Sequence, residues 1–246
     1  RRQRQMCIRD RYGECFCEVV DALCSASGIH TLKMKSELIY ISEDLNINKL
    51  VYNGKLKCDR LIEREGFEWE PVCLFCSKAS GEILVAMISK SSETCKLIIY
   101  SENGTCILKH ESKDYKRPIF ITENTNKDIV VSDAEYSAVV VSNREGRHRF
   151  SYKGHPPESG LDPRGIYTDL FSNILVCTSG TVQMIDKDGQ FLIDIFWVPY
   201  TYMFDFDPIS LCYEVDRNVV WIGLQDEYKT ILVRRHIDRK PALVGK

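Results

Sequence analysis

No part of the sequence is apolar over the roughly 18 residues that a membrane-spanning helix requires. Convincing helical periodicity is also missing, so long amphipathic helices are not expected. Neither sign of charge dominates: 33 lysines and arginines stand against 35 aspartates and glutamates, for a net charge of −2. A balanced surface of this kind offers no global attraction for nucleic acid or an anionic membrane. We therefore expect no membrane partner.

Cysteine is abundant, but its arrangement does not indicate a disulfide framework. The eleven cysteines are an odd number. Cys73, Cys177 and Cys212 each stand inside an apolar run, as small buried hydrophobes do. Disulfide frameworks are typical of small secreted domains. We expect reduced thiols and a cytoplasmic protein.

Two groups of residues could suggest a metal site, and neither has the required spacing. Cys15, Cys17, Cys24 and His30 contain one tight pair, whereas zinc sites use two well-spaced pairs. The 73–76 segment has C-x-x-C spacing, but side chains three apart in a strand point to opposite faces. We expect no metal and no cofactor.

Proline recurs at a nearly constant interval along the chain. Pro71, Pro118, Pro163 and Pro208 are separated by 47, 45 and 45 residues. Each is followed by a short apolar segment, a polar turn and a second, more continuous apolar run. An earlier copy of that second run lies at residues 38–41. A repeat of this length indicates a propeller, a solenoid or a similar array.

A third apolar run in the repeats ends in a glycine turn, after which a fourth run follows. The turns are Asn53-Gly54, Asn103-Gly104, Glu145-Gly146 and Asp188-Gly189. Such pairs suit two-residue hairpin turns. Each repeat thus predicts four short antiparallel strands. A four-stranded unit buries both faces only when neighbours pack radially against it, so we predict an all-β protein, a β-propeller of four-stranded antiparallel blades.

The segment Pro163-Arg164-Gly165-Ile166, followed by residues 173–176 and 182–189, resembles an NHL repeat, and residues 128–150 match it too. The chain from about Gly28 to Ile237 is similar to the NHL propellers of tripartite-motif (TRIM) proteins, above all to the molluscan TRIM-like set. The resemblance implies six blades, of which five are visible. We therefore predict an incomplete ring with a gap and exposed strand edges. The repeat aspartate is present as Asp133, whereas Thr178 takes that place in the next repeat.

The expected domain boundaries follow the repeats. Residues 1–11 do not resemble the family and are interpreted as a non-native or disordered leader. Residues 12–27 are interpreted as the remnant of a preceding blade or a linker. The NHL-like propeller is assigned to residues 28–238 and a C-terminal tail to residues 239–246.

Strand order predicts two different faces. The first-to-second and third-to-fourth turns of the blades share one face, here called the hairpin face. The second-to-third loops and the blade connections share the other, the loop face, and are longer and more varied. Variable loops on a rigid scaffold usually carry binding, and Tyr, Trp and Arg are favoured contact residues. The partner-binding candidates on the loop face are Trp69, Tyr115, Arg117, Tyr136, His155, Arg164, Tyr200, Tyr202 and Tyr228.

The densest basic cluster of the repeats is assigned to the other face. Arg144, Arg147, His148 and Arg149 flank a glycine turn. We therefore interpret them as solvated charges of the hairpin face or blade rim.

These patterns predict a protein-protein interaction propeller. The resemblance implies the target-binding C-terminal module of a TRIM-like ubiquitin ligase or scaffold, whose parent could oligomerise through a coiled coil outside this sequence. RNA binding is the alternative, but the loops carry many acidic residues among their basic ones. The first strands show no ring of acidic or histidine residues, and Asn124, Asp169 and Glu214 are explained by turns. We therefore expect no catalytic residue, no enzymatic activity and no small-molecule substrate, with a propeller hydrolase or lyase as the remote alternative.

Overall fold

The computed structural model shows an all-β chain with 21 strands in its described residues. The structure describes the backbone of residues 6–9, 15–19, 31–34, 37–52, 55–77, 79–92, 94–156, 160–198, 207–214, 219–225 and 230–236. Among these, no helix is both long enough and apolar enough to cross a membrane.

The first two strands form a hairpin of their own. β1 (Met6–Arg9) pairs antiparallel with β2 (Cys15–Val19), and Met6 lies opposite Val19. The hairpin joins the predicted leader to the predicted blade remnant. Both segment assignments, like the other domain boundaries, stay predictions.

The remaining strands form five sheets, here called blades 1 to 5. Blade 1 has β3 (Thr31–Met34), β4 (Glu37–Ile41), β5 (Ile47–Tyr52) and β6 (Leu56–Ile62). Blade 2 has β7 (Trp69–Cys76), β8 (Ile83–Ser89), β9 (Cys95–Tyr100) and β10 (Cys106–Ser112). Blade 3 has β11 (Pro118–Glu123), β12 (Ile129–Asp133), β13 (Ala138–Ser142) and β14 (His148–Tyr152). Blade 4 has β15 (Ile166–Thr168), β16 (Ile174–Thr178), β17 (Thr181–Ile185) and β18 (Phe191–Trp197). Blade 5 has β19 (Asp207–Glu214), β20 (Val219–Gln225) and β21 (Thr230–His236) within the described residues.

Strands that follow one another in sequence are neighbours in every blade and run antiparallel. The predicted fold class, a β-propeller with four-stranded antiparallel blades, is confirmed. The gap in the ring stays a prediction.

Four apolar clusters fill the spaces between consecutive blades. The cluster between blades 1 and 2 includes Ile39 and Ile47 from one side and Ile83 and Ile98 from the other. Corresponding clusters lie between blades 2 and 3, blades 3 and 4, and blades 4 and 5. All residues of β12 and β13 are buried. Because both faces of a blade are covered, its middle strands are continuous apolar runs rather than alternating ones.

The glycine turns do more than reverse the chain. A Cβ added to Gly146 of blade 3 would lie 2.6 Å from the His110 ring of blade 2. A Cβ added to Gly189 of blade 4 would lie 2.6 Å from the Phe150 ring of blade 3. Each hairpin therefore sits against the outer strand of the preceding blade, and only a residue without a side chain fits there.

The geometry of these turns differs from the predicted two-residue type. The N–H of Gly146 donates to the Asn143 carbonyl at 2.9 Å, and the N–H of Asn143 donates to the Arg147 carbonyl at 2.9 Å. Only the glycine has a positive φ, of 80°. This is a type I turn followed by a bulge with its glycine in the left-handed region, a common hairpin loop that twists as the flanking strands do.

Seven cysteines have described side chains, and four of them, Cys73, Cys76, Cys95 and Cys177, are buried as small hydrophobes are. Cys73 belongs to the cluster between blades 2 and 3 and Cys76 to that between blades 1 and 2, which confirms their opposite orientation. Burial raises the pKa of the Cys73 and Cys177 thiols well above the usual range. Cys212 was expected to be buried but is exposed, because it lies on the innermost strand of blade 5.

Candidate functional site

The carboxylate of Asp133 joins two loops of the loop face. Its Oδ2 accepts the N–H groups of Lys116 at 2.7 Å and Arg117 at 3.0 Å. Its Oδ1 accepts the N–H groups of Glu135 at 3.0 Å and Tyr136 at 2.9 Å. The side chain is fully buried, so no water competes for these four bonds. The connection between blades 2 and 3 and the β12–β13 loop are therefore held together as one rigid unit.

This unit presents the side chain of Tyr136 to solvent. The residue is 38% exposed, and its hydroxyl donates to the Lys113 carbonyl at 2.9 Å. The Lys116 ammonium lies 5.6 Å from the ring centroid. Arg117 is exposed beside it in the chain. We call Lys113, Lys116, Arg117 and Tyr136 the Tyr136 surface.

Two of the predicted loop-face residues are structural anchors. Tyr115 is completely buried, and its hydroxyl lies 2.6 Å from the Ser142 hydroxyl. Burial raises the pKa of the Tyr115 hydroxyl well above its usual range. Tyr115 thus lies outside the accessible surface. Trp69 is half-buried against the cluster between blades 1 and 2, where its ring supports the Lys96 ammonium at 3.8 Å.

Lys96 was not identified from the sequence, although it is almost fully buried. It is 2% exposed and forms an ion pair with Glu65 at 2.8 Å. Burial lowers the pKa of the Lys96 ammonium. Although burial alone would raise the pKa of Glu65, hydrogen bonds from Lys109 and Lys96 hold it below its usual range. The alternation of side chains along β9 could have indicated that Lys96 is buried, since Lys96 shares a strand face with Ile98.

The other candidates lie apart from the Tyr136 surface or outside the described residues. Arg164 is flanked by carboxylates of Asp162 and Asp207, each 2.9 Å away. Its charge is therefore neutralised locally. The ring of His155 stacks on Phe191 with centroids 4.0 Å apart. Tyr200, Tyr202 and Tyr228 lie outside the part of the chain that the structure describes.

The sequence predicted that the basic cluster on the hairpin face is solvated, but two of its arginines form ion pairs with neighbouring blades. Arg144 donates two hydrogen bonds to Glu82 of blade 2, at 3.0 and 2.7 Å. These bonds lower the pKa of the Glu82 carboxyl. Arg149 pairs with Asp188 of blade 4 at 3.2 Å. Arg144 and Arg149 therefore tie blades together, while Arg147 is 80% exposed in its side chain.

The innermost strands of blades 2 to 5 line a central channel with a cavity of about 560 Å³. Its apolar lining includes Phe75, Phe120 and Leu211, with Tyr167 among them. At the hairpin-face end the lining becomes polar; it includes Glu123, Thr168 and Asp169. The Thr168 hydroxyl donates to the carbonyl of Glu123 at 2.8 Å, which joins two blades at this point.

The polar residues at the end of the channel also build the turns there, as the sequence predicted. Asp169 accepts the N–H groups of Phe171 at 2.8 Å and Asn173 at 2.9 Å. Asn124 accepts the N–H of Asp128 at 2.9 Å. Within the described residues, no group of three or more His, Cys, Asp or Glu side chains has the arrangement of a metal site.

The chain matches no known protein family and no curated protein. Solved structures do resemble it, and β-propellers are among them. A luciferin-regenerating enzyme is 10% identical with a TM-score of 0.64, over 86% of this chain and 77% of its own. The virginiamycin B lyase of Staphylococcus aureus with quinupristin is 16% identical with a TM-score of 0.56, over 88% and 72%. YCF48 bound to a D1 peptide is 11% identical with a TM-score of 0.61, over 90% and 68%. At these identities the similarity establishes the fold alone.

The prediction that this chain is not an enzyme is contradicted by these similarities. Two of the three propellers of the same shape are named enzymes. From the sequence, a ring of acidic or histidine residues was expected in the first strands of an enzyme, and Asp169 was explained by a turn. The structure brings Asp169 and Glu123 to the same channel. Glu123, Tyr167 and Asp169 lie on two different blades and line the same cavity, which no local motif shows.

Proposed function

We propose that this chain is a protein-binding propeller that contacts its partner through the Tyr136 surface. The observation that carries the proposal is the buried carboxylate of Asp133, which fixes both loops of this surface through four backbone hydrogen bonds. A surface that is already ordered loses little conformational entropy on association. Tyrosine and arginine are the residue types that contribute most at such contacts.

Several features favour a protein partner over RNA. RNA binding relies on lysines and arginines gathered into a continuous basic track. Here Asp114 and Glu135 alternate with the basic residues of the surface, and Arg164 is already paired with two carboxylates. A propeller of the same fold, YCF48, has a peptide bound. The resemblance to TRIM proteins adds the finer proposal that the partner is the target of a ubiquitin ligase or scaffold in the cytoplasm.

Site-specific photo-crosslinking tests this proposal. A photo-reactive amino acid replaces Arg117 in the Tyr136 surface, and a matched probe replaces Arg147 on the hairpin face. We expect a discrete protein adduct from position 117 that disappears with Tyr136→Ala. RNA adducts, or the same protein adducts from both positions, would contradict the proposal.

A second candidate function follows from the channel. Its cavity of about 560 Å³ is within the range of pockets that hold small molecules. The lining combines aromatic rings with a polar end that includes Glu123, Asp169 and Lys127, and Lys127 pairs with Glu123 at 3.0 Å. Some propellers of this shape are hydrolases or lyases by name. As a second candidate, we propose that the channel carries out a hydrolase or lyase reaction on a small cyclic ester.

Mass spectrometry of a panel of lactones and cyclic depsipeptides incubated with the protein tests this candidate. Turnover is expected to fall with Tyr167→Phe, and it should survive Tyr136→Ala on the loop face. An absence of product throughout the panel would remove the candidate without affecting the protein-binding proposal.

A further inference from the structure

A small groove lies beside the outer strand of blade 3, next to the Tyr136 loop. Its volume is about 220 Å³, below the roughly 300–1,000 Å³ of pockets for drug-sized ligands. Its lining includes Tyr136, the lysines Lys113 and Lys153, and His148 and Ser151 of β14. The size therefore suits a single side chain or a small anion.

The two lysines of the groove differ from most of the lysines whose side chains the structure describes. Seven lysines with described side chains form an ion pair with a carboxylate: Lys49, Lys57, Lys90, Lys96, Lys109, Lys127 and Lys187. Lys113 and Lys153 have no such partner within the described residues, and both are exposed. Two ammonium groups that lack an ion-pair partner within the described residues thus line one cavity.

The surroundings of the lysines are ordered by the protein itself. The Tyr136 hydroxyl donates to the Lys113 carbonyl at 2.9 Å, and Asp133 fixes the Tyr136 backbone. On β14, at the other side of the groove, His148 Nε2 lies 2.9 Å from the Ser151 hydroxyl. These contacts set the shape of the groove without a ligand.

One acidic residue also lines the groove. The carboxylate of Asp114 accepts a hydrogen bond from the Ser112 hydroxyl at 3.0 Å. The two positive charges of Lys113 and Lys153 and the one negative charge of Asp114 give the groove a net charge of +1. The groove therefore favours an anion that offers several acceptor oxygens to separate donors.

We propose that this groove binds the phosphorylated serine or threonine side chain of a protein partner, with the phosphate held between Lys113 and Lys153. A phosphate monoester carries close to two negative charges and three acceptor oxygens, which matches two unpaired ammonium groups. The single-residue volume and the neighbouring Asp114 disfavour an extended nucleic-acid backbone. The inference rests on the proposed protein-binding function and names the chemistry that the Tyr136 surface would recognise.

The test uses fluorescence anisotropy with two pools of degenerate peptides, identical except for a central phosphoserine or serine. We expect binding of the phosphoserine pool only. Lys113→Gln and Lys153→Gln should each weaken it on the order of tenfold, because a hydrogen bond to a charged group contributes about that factor. Inorganic phosphate should compete. Lys55→Gln is the matched control, since Lys55 is exposed and lies outside the groove.

Equal binding of the two pools would overturn the inference, and so would an equal loss with Lys55→Gln. A polyuridine probe that loses affinity in the groove variants while the peptides do not bind would assign the groove to RNA instead.

The partner found by crosslinking separates this inference from the proposed function. If that partner still binds after phosphatase treatment, the phosphate inference is wrong and the protein-binding function stands. If no protein is crosslinked at position 117 and neither pool binds, both are wrong. If phosphatase treatment abolishes binding, and the groove variants do the same, both are supported.

Discussion

Gly146 in blade 3 lies directly against the imidazole ring of His110 in blade 2, where an added Cβ would come within 2.6 Å of the ring. Two separate constraints therefore require glycine at this position: the backbone φ is +80°, and there is no space for a Cβ. The left-handed backbone alone costs a residue with a Cβ about 1–2 kcal/mol. The contact with His110 adds a second penalty.

The first prediction separates these two penalties. Gly146→Ala should lower the urea midpoint clearly more than Gly66→Ala. Gly66 has a similar φ of +66°, but a Cβ there would meet nothing within 4 Å. Gly66→Ala therefore measures the backbone cost of about 1–2 kcal/mol, and the excess in Gly146→Ala measures the contact between blades. Equal losses would show that the hairpin does not press on His110.

The second prediction concerns the acid stability of the same contact. Burial lowers the pKa of His110, and neither ring nitrogen has a hydrogen-bond partner within the described part of the chain. The unfolded chain binds this proton near pH 6.5, as an unperturbed histidine does. Between the two pKa values the unfolded state holds more protons, so stability rises with pH and is lost as pH falls below about 6.5.

Urea unfolding at several pH values checks this effect. His110→Phe should flatten the decline between about pH 6.5 and 5, whereas His148→Phe at an exposed position should keep it. An unchanged slope in His110→Phe would contradict the assignment.

The third prediction concerns Asp133. Asp133→Ala leaves four backbone N–H groups without their acceptor. Each unsatisfied buried donor costs about 1–3 kcal/mol, so the loss of unfolding free energy should be several kcal/mol unless water enters. The control is Asp186→Ala, because Asp186 also accepts two N–H groups, at 2.9 and 2.8 Å, but in an exposed turn.

Hydrogen exchange of the loop amides adds a local measurement. Residues 116 and 136 should lose protection in Asp133→Ala and keep it in Asp186→Ala. Protection that survives in Asp133→Ala would mean that the carboxylate does not order the Tyr136 surface.

The fourth prediction concerns the ion pair between Lys96, which is buried, and Glu65, which is 40% exposed. Glu65→Gln should destabilise the protein, because it leaves the Lys96 charge buried without a carboxylate. The loss should be smaller than the roughly 3–5 kcal/mol of a fully buried pair, since Glu65 is 40% exposed. Lys96→Met should be nearly neutral, since a hydrophobic residue of similar volume can replace a buried charge. Glu65 would still pair with Lys109. A larger loss for Lys96→Met than for Glu65→Gln would show that the contact with Trp69 dominates.

The repeat was predictable because it rests on local signals. The prolines and glycine turns mark strand ends by backbone geometry alone, and the apolar runs mark strands covered on both faces. The opposite orientations of Cys73 and Cys76 follow from strand alternation and were correct. These features need no knowledge of what lies across a blade interface.

The site was less predictable because its residues are defined by neighbouring blades. Tyr115 looks like an exposed loop tyrosine, but the loop folds over the space between blades 2 and 3 and buries it. Arg144 looks like part of a solvated charge run, but its partner Glu82 is 62 residues away in the chain. The exclusion of catalysis was wrong for the same reason, since the channel is assembled from strands that are far apart in sequence.

The glycines of the described third-to-fourth turns all contact the blade that precedes them in the chain. Gly104 lies against Leu61, Gly146 against His110 and Gly189 against Phe150, so each hairpin docks on the blade made before it. A growing polypeptide would therefore find its docking site already synthesised whenever a new hairpin leaves the ribosome. The propeller can assemble in the order of translation, each finished blade acting as the template for the next.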